Sequence, residues 1–137
     1  MTKTDEQRRI IVNLEYERAL SIFSQIDALK QLSFWDNVAN RLYYSVFHAV
    51  TAVLIHDGHF AGTHKGVVQT FGQYYVVTGI FSIEEGKLYS QLQTLREKSD
   101  YNCHFITGSV DVEPMIEPVN DMIQHIGEYI GYGNQSK

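Results

Sequence analysis

Along five stretches of this sequence, apolar side chains recur at steps of three and four residues, and no segment alternates apolar with polar residues at a period of two. Steps of three and four put side chains on one face of an α-helix, whereas a half-buried strand needs the period-two pattern. The chain is therefore expected to be an all-α domain whose helices each bury one stripe.

The first helix is expected over Asp5 to Leu29, where Val12, Tyr16, Ala19, Phe23 and Ile26 step by four, three, four and three. Lys30 to Ser33 reads as a short turn, which favours antiparallel neighbours. A second helix is expected over Phe34 to His56, with Ser33 and Asp36 spaced to cap it. Its core stripe is Ala39, Leu42, Val46, Val50 and Val53, and Gly58 is a natural stop. A third runs from the N-cap Thr63 to about Val77, carrying Val67, Val68, Phe71, Tyr74 and Tyr75. The β-branched and aromatic run Tyr74 to Phe81 is where a strand would compete. Ser82 and Glu85 form a capping box for a fourth helix that reaches Tyr101, with Leu88, Leu92 and Leu95 inward. A loop covers Asn102 to Ser109. A fifth helix starts near Asp111 and carries Met115, Val119, Met122, Ile126 and Ile130. Pro114 suits a first turn, while Pro118 implies a kink or the true start of that helix. The core is expected over residues 5 to 130 of a single domain, 1 to 137, with 131 to 137 a polar tail.

Composition narrows the function. The formal charge is −5 and the pI about 5.6, so nonspecific duplex binding through overall charge is not the expected task. Aromatic residues make up 12% of the chain, enough to line a site or interface as well as a core. Cys103 is the one cysteine, which excludes an intrachain disulfide and fits a reducing compartment. The charged start Met-Thr-Lys-Thr-Asp-Glu-Gln-Arg-Arg lacks a signal-peptide core, and the mostly apolar run Leu42 to Ile55 is short for a bilayer span. A cytoplasmic protein without a membrane association is expected.

Helix two carries a second stripe. Asn37, Arg41, Tyr44, His48 and Thr51 step by four, three, four and three, on a face nearly opposite Val46 and Val50. Such a face lines a groove, meets a partner or faces solvent; the alternative is that Arg41 and His48 are half-buried and satisfied by hydrogen bonds. At the end of helix four, Arg96 and Asp100 are four apart, so they pair if the helix persists. His104 follows just past that end. An Arg and a His on one groove can cleave RNA without metal: the His moves the proton and the Arg stabilises phosphate charge. The alternative is an Arg–Asp pair holding the helix end beside a solvent-exposed His. His56, His59 and His64 lie close in sequence, but there are no Cys pairs and no His-Glu-x-x-His run, so no metal is expected. Neither a phosphate-cradling glycine loop nor a Gly-x-Ser-x-Gly elbow is present, and no cofactor is expected.

Three motifs in order resemble one family. Asn40-Arg-Leu-Tyr-Tyr-Ser-Val-Phe-His-Ala49, Thr63-His-Lys-Gly-Val-Val68 followed by Phe71, and Leu95-Arg96 followed by Ser99-Asp100-Tyr101 are similar to the second-, third- and fourth-helix signatures of HEPN domains. The resemblance covers about residues 5 to 130. It implies an antiparallel, up-and-down bundle of four to five helices that dimerises, often within toxin–antitoxin pairs alongside a minimal nucleotidyltransferase. Many members are metal-independent ribonucleases with an Arg and a nearby His at the dimer groove; others bind nucleotides or are noncatalytic. Here seven residues separate Arg96 from His104, longer than the usual spacing. The position that in some toxins bears a modified Tyr is Ile106, and the Asp-Tyr branch is the closer match.

Three functions follow as expectations. In the favoured one, the chain is a noncatalytic module that binds nucleotide or RNA through Arg41, Tyr44, His48, His64, Arg96 and Asp100. It would form a homodimer and dock a nucleotidyltransferase partner. In the second it is a ribonuclease toxin using Arg96 and His104, aided by Tyr101. In the third it is a helical interaction protein whose polar stripe only sets packing.

Overall fold

The computed structural model describes residues 3 to 133, of which the side chains are described from Thr4 onward. Residues 134 to 137 of the expected tail lie outside the described residues. The order is α1 (Lys3–Phe23), α2 (Ile26–Gln31), α3 (Trp35–His56), α4 (His64–Phe71), a π-helical turn (Gly72–Val76), α5 (Ile83–Tyr101) and α6 (Ser109–Ile130). No strand occurs among the described residues, so the all-α expectation holds.

Side-chain contacts fix the directions. Glu15 of α1 meets His48 of α3, and Arg8 lies against Gly58 just past the end of α3, so α1 and α3 run antiparallel. Asn40 meets Asp100 and Tyr43 meets Tyr89, so α3 and α5 do too. Tyr16 reaches Ile123 while Lys30 pairs with Glu113, which sets α6 antiparallel to α1 and α2. The result is an up-and-down bundle around α3, which packs on α1, α2, α4, α5 and α6.

The central helix is apolar enough for its length to resemble a membrane span, contrary to the shorter run read from the sequence. However, 61% of its most apolar window is buried inside the bundle. Helical neighbours, rather than lipid, cover Val38, Leu42, Val46, Val50 and Val53. Each such side chain contributes roughly 1.5–3 kcal/mol when fully buried.

Several boundaries depart from the expectations, each for a local reason. The first helix breaks at Ser24 and Gln25, and the Ser24 hydroxyl donates to the Ser21 carbonyl, giving the backbone an alternative to the helical ladder. Ser33 does not cap α3. It sits at φ 61° as the left-handed residue that closes α2, where Ser33 N donates to Lys30 O and Phe34 N to Leu29 O. Asp36 instead accepts from Asn37 N. Thr63, by contrast, does cap α4 and the Ser82–Glu85 capping box is complete. After Phe71 the third helix widens into the π-turn, with Val77 N donating to Gly72 O. Pro118 does not mark the start of the last helix. α6 begins at Ser109 and runs through both prolines, because both are exposed and water can solvate the carbonyls they leave unpaired.

Two close approaches lock the bundle. Gly127 has no Cβ, and an added one would overlap the Tyr16 hydroxyl, which crosses from α1 to donate to Ile123 O at 2.9 Å. Near the same end of α6, Asp57 just past α3 accepts from Tyr75 at 2.6 Å, Tyr129 at 2.7 Å and His56 Nδ1 at 2.7 Å. It thus ties α3 to the π-turn and α6. Burial would raise the Asp57 pKa, but the three donors outweigh it and hold the group below its ordinary 3.8. The native state therefore binds this proton less tightly than the unfolded chain. The stabilisation is complete above 3.8 and is lost as pH falls through the lower native value. Asp57→Asn is expected to lower the urea midpoint at neutral pH and to flatten the acid decline of stability; wild-type and variant curves that stay parallel on acidification would contradict this.

Candidate functional site

The second-helix motif supplies one wall of the site and the fourth-helix motif the other. Tyr43 and Tyr44 project from α3, Arg96 from α5 and His64 from the first turn of α4. Arg96 is only 8% exposed. Its guanidinium carbon lies 4.7 Å from the Tyr43 ring centroid, 5.7 Å from that of Tyr44 and 5.6 Å from that of Tyr101. These are cation–π distances. Burial would lower the Arg96 pKa, but the Tyr101 hydrogen bond and the tyrosine rings more than offset it, so the group is a fixed cation.

A polar chain closes the open side. Arg96 Nη1 donates to Tyr101 Oη at 3.3 Å and lies 3.8 Å from Asp100 Oδ2, within ion-pair range. Asn40 Nδ2 reaches the same carboxylate oxygen at 3.4 Å, while Asn40 Oδ1 accepts from Arg41 Nε and Nη2. Arg41 also lies 5.7 Å from the Tyr44 ring. Despite these partners, the buried Nε of Arg96 has none among the described residues.

His64 completes the cluster. Its ring stacks on Phe47 at 4.3 Å and 17°, and its Nδ1 is 2.8 Å from Tyr43 Oη. Burial, then Arg96 and His48, lower its pKa below 6.5. The Tyr43 hydroxyl is pushed up to about 12, chiefly by burial, which Arg96 partly opposes. Both groups are thus neutral near pH 7. His48 stands one turn along α3 from Tyr44, with Nδ1 3.3 Å from both Glu15 carboxylate oxygens.

The expected binding residues Arg41, Tyr44, His48, His64, Arg96 and Asp100 thus fall on one contiguous surface formed by α3, α4 and α5, with Tyr101 at its rim, 74% exposed. His104 does not join them. It is exposed beyond α5, where its backbone N–H donates to Asn102 Oδ1. Among the described residues its ring makes no hydrogen bond or ring contact with the cluster. The helix ends at Tyr101, so His104 is not carried on the helical face that presents Arg96. Sequence reasoning missed Tyr43, Asn40 and Phe47 as site residues. The paired tyrosines were the signal for Tyr43, whose ring is buried while its hydroxyl faces the site. Among the described residues no group of three or more His, Cys, Asp or Glu is placed to hold a metal.

This chain belongs to the HEPN family: the HEPN domain model matches residues 12 to 129. A UPF0332 protein of Thermotoga maritima is 35% identical over 65 residues, 47% of this chain and 49% of that protein. Two proteins of Methanocaldococcus jannaschii are named as candidate toxins. One is 34% identical over 61 residues, covering 44% of this chain and 46% of its own length. The other is 26% identical over 128 residues, covering 88% and 87%. The aligned stretch thus spans about half the length of the first two relatives.

Arg96 fills the space between the rings as well as carrying charge, so Arg96→Ala is expected to destabilise the fold by about 1–3 kcal/mol. Arg96→Lys should recover part of that loss, because it keeps the charge without the planar fork. Urea melts measure both; a midpoint unchanged in Arg96→Ala would show that the rings do not hold the cation.

Proposed function

We propose that this chain is the HEPN module of a toxin–antitoxin-type pair and that it binds a nucleotide or single-stranded RNA on the surface around Arg96. The observation that carries this reading is Arg96 itself. It is a nearly buried cation whose Nε lacks a partner, in a cluster of aromatic rings. Arginine recognises phosphate through paired N–H donors, and exposed tyrosine rings such as that of Tyr101 offer faces on which bases stack. The net charge of −5 fits local recognition of one or two phosphates better than electrostatic wrapping. The relatives named as candidate toxins supply the setting. In that setting the module forms a homodimer through α3 and α5 and docks a nucleotidyltransferase partner in the cytoplasm.

The test is fluorescence anisotropy with a short labelled single-stranded RNA and with AMP as competitor, for wild type, Arg96→Lys and Tyr101→Ala. The wild type is expected to bind, and Arg96→Lys, which keeps the charge but loses the paired donors, to bind at least several-fold more weakly with its salt slope little changed. Tyr101→Ala should weaken RNA binding while leaving the salt slope in place. No binding by folded wild-type protein, or equal binding by all three, would overturn the reading and favour a helical interaction protein.

A further inference from the structure

Tyr43 is fully buried, at 0% exposure, so water does not reach its hydroxyl. Its one hydrogen-bond partner among the described residues is His64 Nδ1 at 2.8 Å. A buried O–H requires an acceptor. If Nδ1 carried the ring proton, the tyrosine oxygen could accept it, but the tyrosine proton would then point at nothing. The pair is satisfied only when Nδ1 is the acceptor and the imidazole proton sits on Nε2.

The surroundings oppose a second proton on that ring. Tyr43, Tyr44 and His48 face it from α3, and the Arg96 cation faces it from α5. His64 is also the first residue of α4, after the N-cap Thr63, where the positive end of the helix dipole disfavours an imidazolium. Stacking on Phe47 and Tyr43 fixes the ring plane. The Nε2 edge has no hydrogen-bond partner among the described residues, yet it is not among the buried unpartnered atoms. It therefore meets solvent on the surface that holds Arg96.

From this geometry we infer that Tyr43 acts as a positioning residue that locks His64 as a neutral Nε2–H donor, so that His64 recognises an acceptor oxygen, the phosphoryl or base carbonyl oxygen of a nucleotide, and does not serve as a proton-accepting base. The inference rests on the binding reading above and deepens it. With Nε2 already protonated there is no lone pair facing the ligand to receive a 2′-hydroxyl proton. Recognition through Arg96 and a neutral imidazole N–H also has a signature: affinity for a phosphate-bearing ligand stays level from pH 7 to pH 8, because neither donor changes its charge there.

The deciding experiment is long-range proton–nitrogen NMR of the histidine side chains in the ligand-free, full-length chain, across a pH titration. The expected result is an Nε2–H tautomer for His64 at pH 7 and a titration midpoint below 6.5, the ordinary value. Tyr43→Phe keeps the ring and removes the hydroxyl. It should shift His64 to a mixture of tautomers and move its midpoint upward. An Nδ1–H tautomer in the wild type, or an unchanged tautomer and midpoint in Tyr43→Phe, would overturn the lock. The readout needs no ligand, so the two readings fail separately. RNA binding that persists alongside an Nδ1–H His64 refutes this inference alone. An Nε2–H His64 in a protein that binds neither RNA nor AMP refutes the role in recognition.

Discussion

Burial of α3 is the constraint on which the other elements depend. Val38, Leu42, Val46, Ala49, Val50 and Val53 are each fully buried, and α1, α2, α4, α5 and α6 all pack against this one helix. A helix covered on so many sides has little surface left for polar side chains. Of those it carries, Asn40, Arg41, Tyr44 and His48 lie in the seams it forms with α4 and α5 on one side and α1 on the other. The cluster around Arg96 lies in such a seam, and its place follows from core packing before any chemistry is considered.

Within that seam, Tyr43 links the core to the site. Its ring belongs to the core and supports the Arg96 guanidinium, while its hydroxyl reaches His64. Cation, rings and imidazole are therefore positioned by burial alone, so the binding proposed above would carry a small ordering cost. The same arrangement separates Arg96 from His104. The arginine, on α5, is held by three rings, Tyr43 and Tyr44 of α3 and Tyr101 of α5, whereas the histidine follows the end of that helix in an exposed loop. Proximity in sequence brings no hydrogen bond or ring contact between the two among the described residues.

Much of the architecture was legible in the residues. The three-and-four spacing gave the helices, and Gly58, Thr63 and Ser82 marked ends that the structure keeps. The misreadings have local causes. Ser33 closes α2 and so cannot cap α3, and the prolines of α6 are tolerated because that face is exposed. The site was partly legible too. The stripe Arg41, Tyr44, His48 and the motif arginine were visible by spacing. Tyr43 was hidden because a tyrosine one step from the polar stripe reads as core, and only the tertiary fold shows which way its hydroxyl points. The partnership of His64 with Tyr43 crosses between helices, and no single-segment periodicity encodes it.

The central claim is that Arg96 belongs to a recognition surface and not to a catalytic pair with His104. Its most direct test is incubation of the purified protein with RNA in excess EDTA, beside Arg96→Ala and His104→Ala. The expected result is no cleavage above buffer by any of the three proteins. Cleavage by the wild type that both substitutions abolish would contradict the claim and show that the loop brings His104 to Arg96 when RNA or a second copy of the chain is bound.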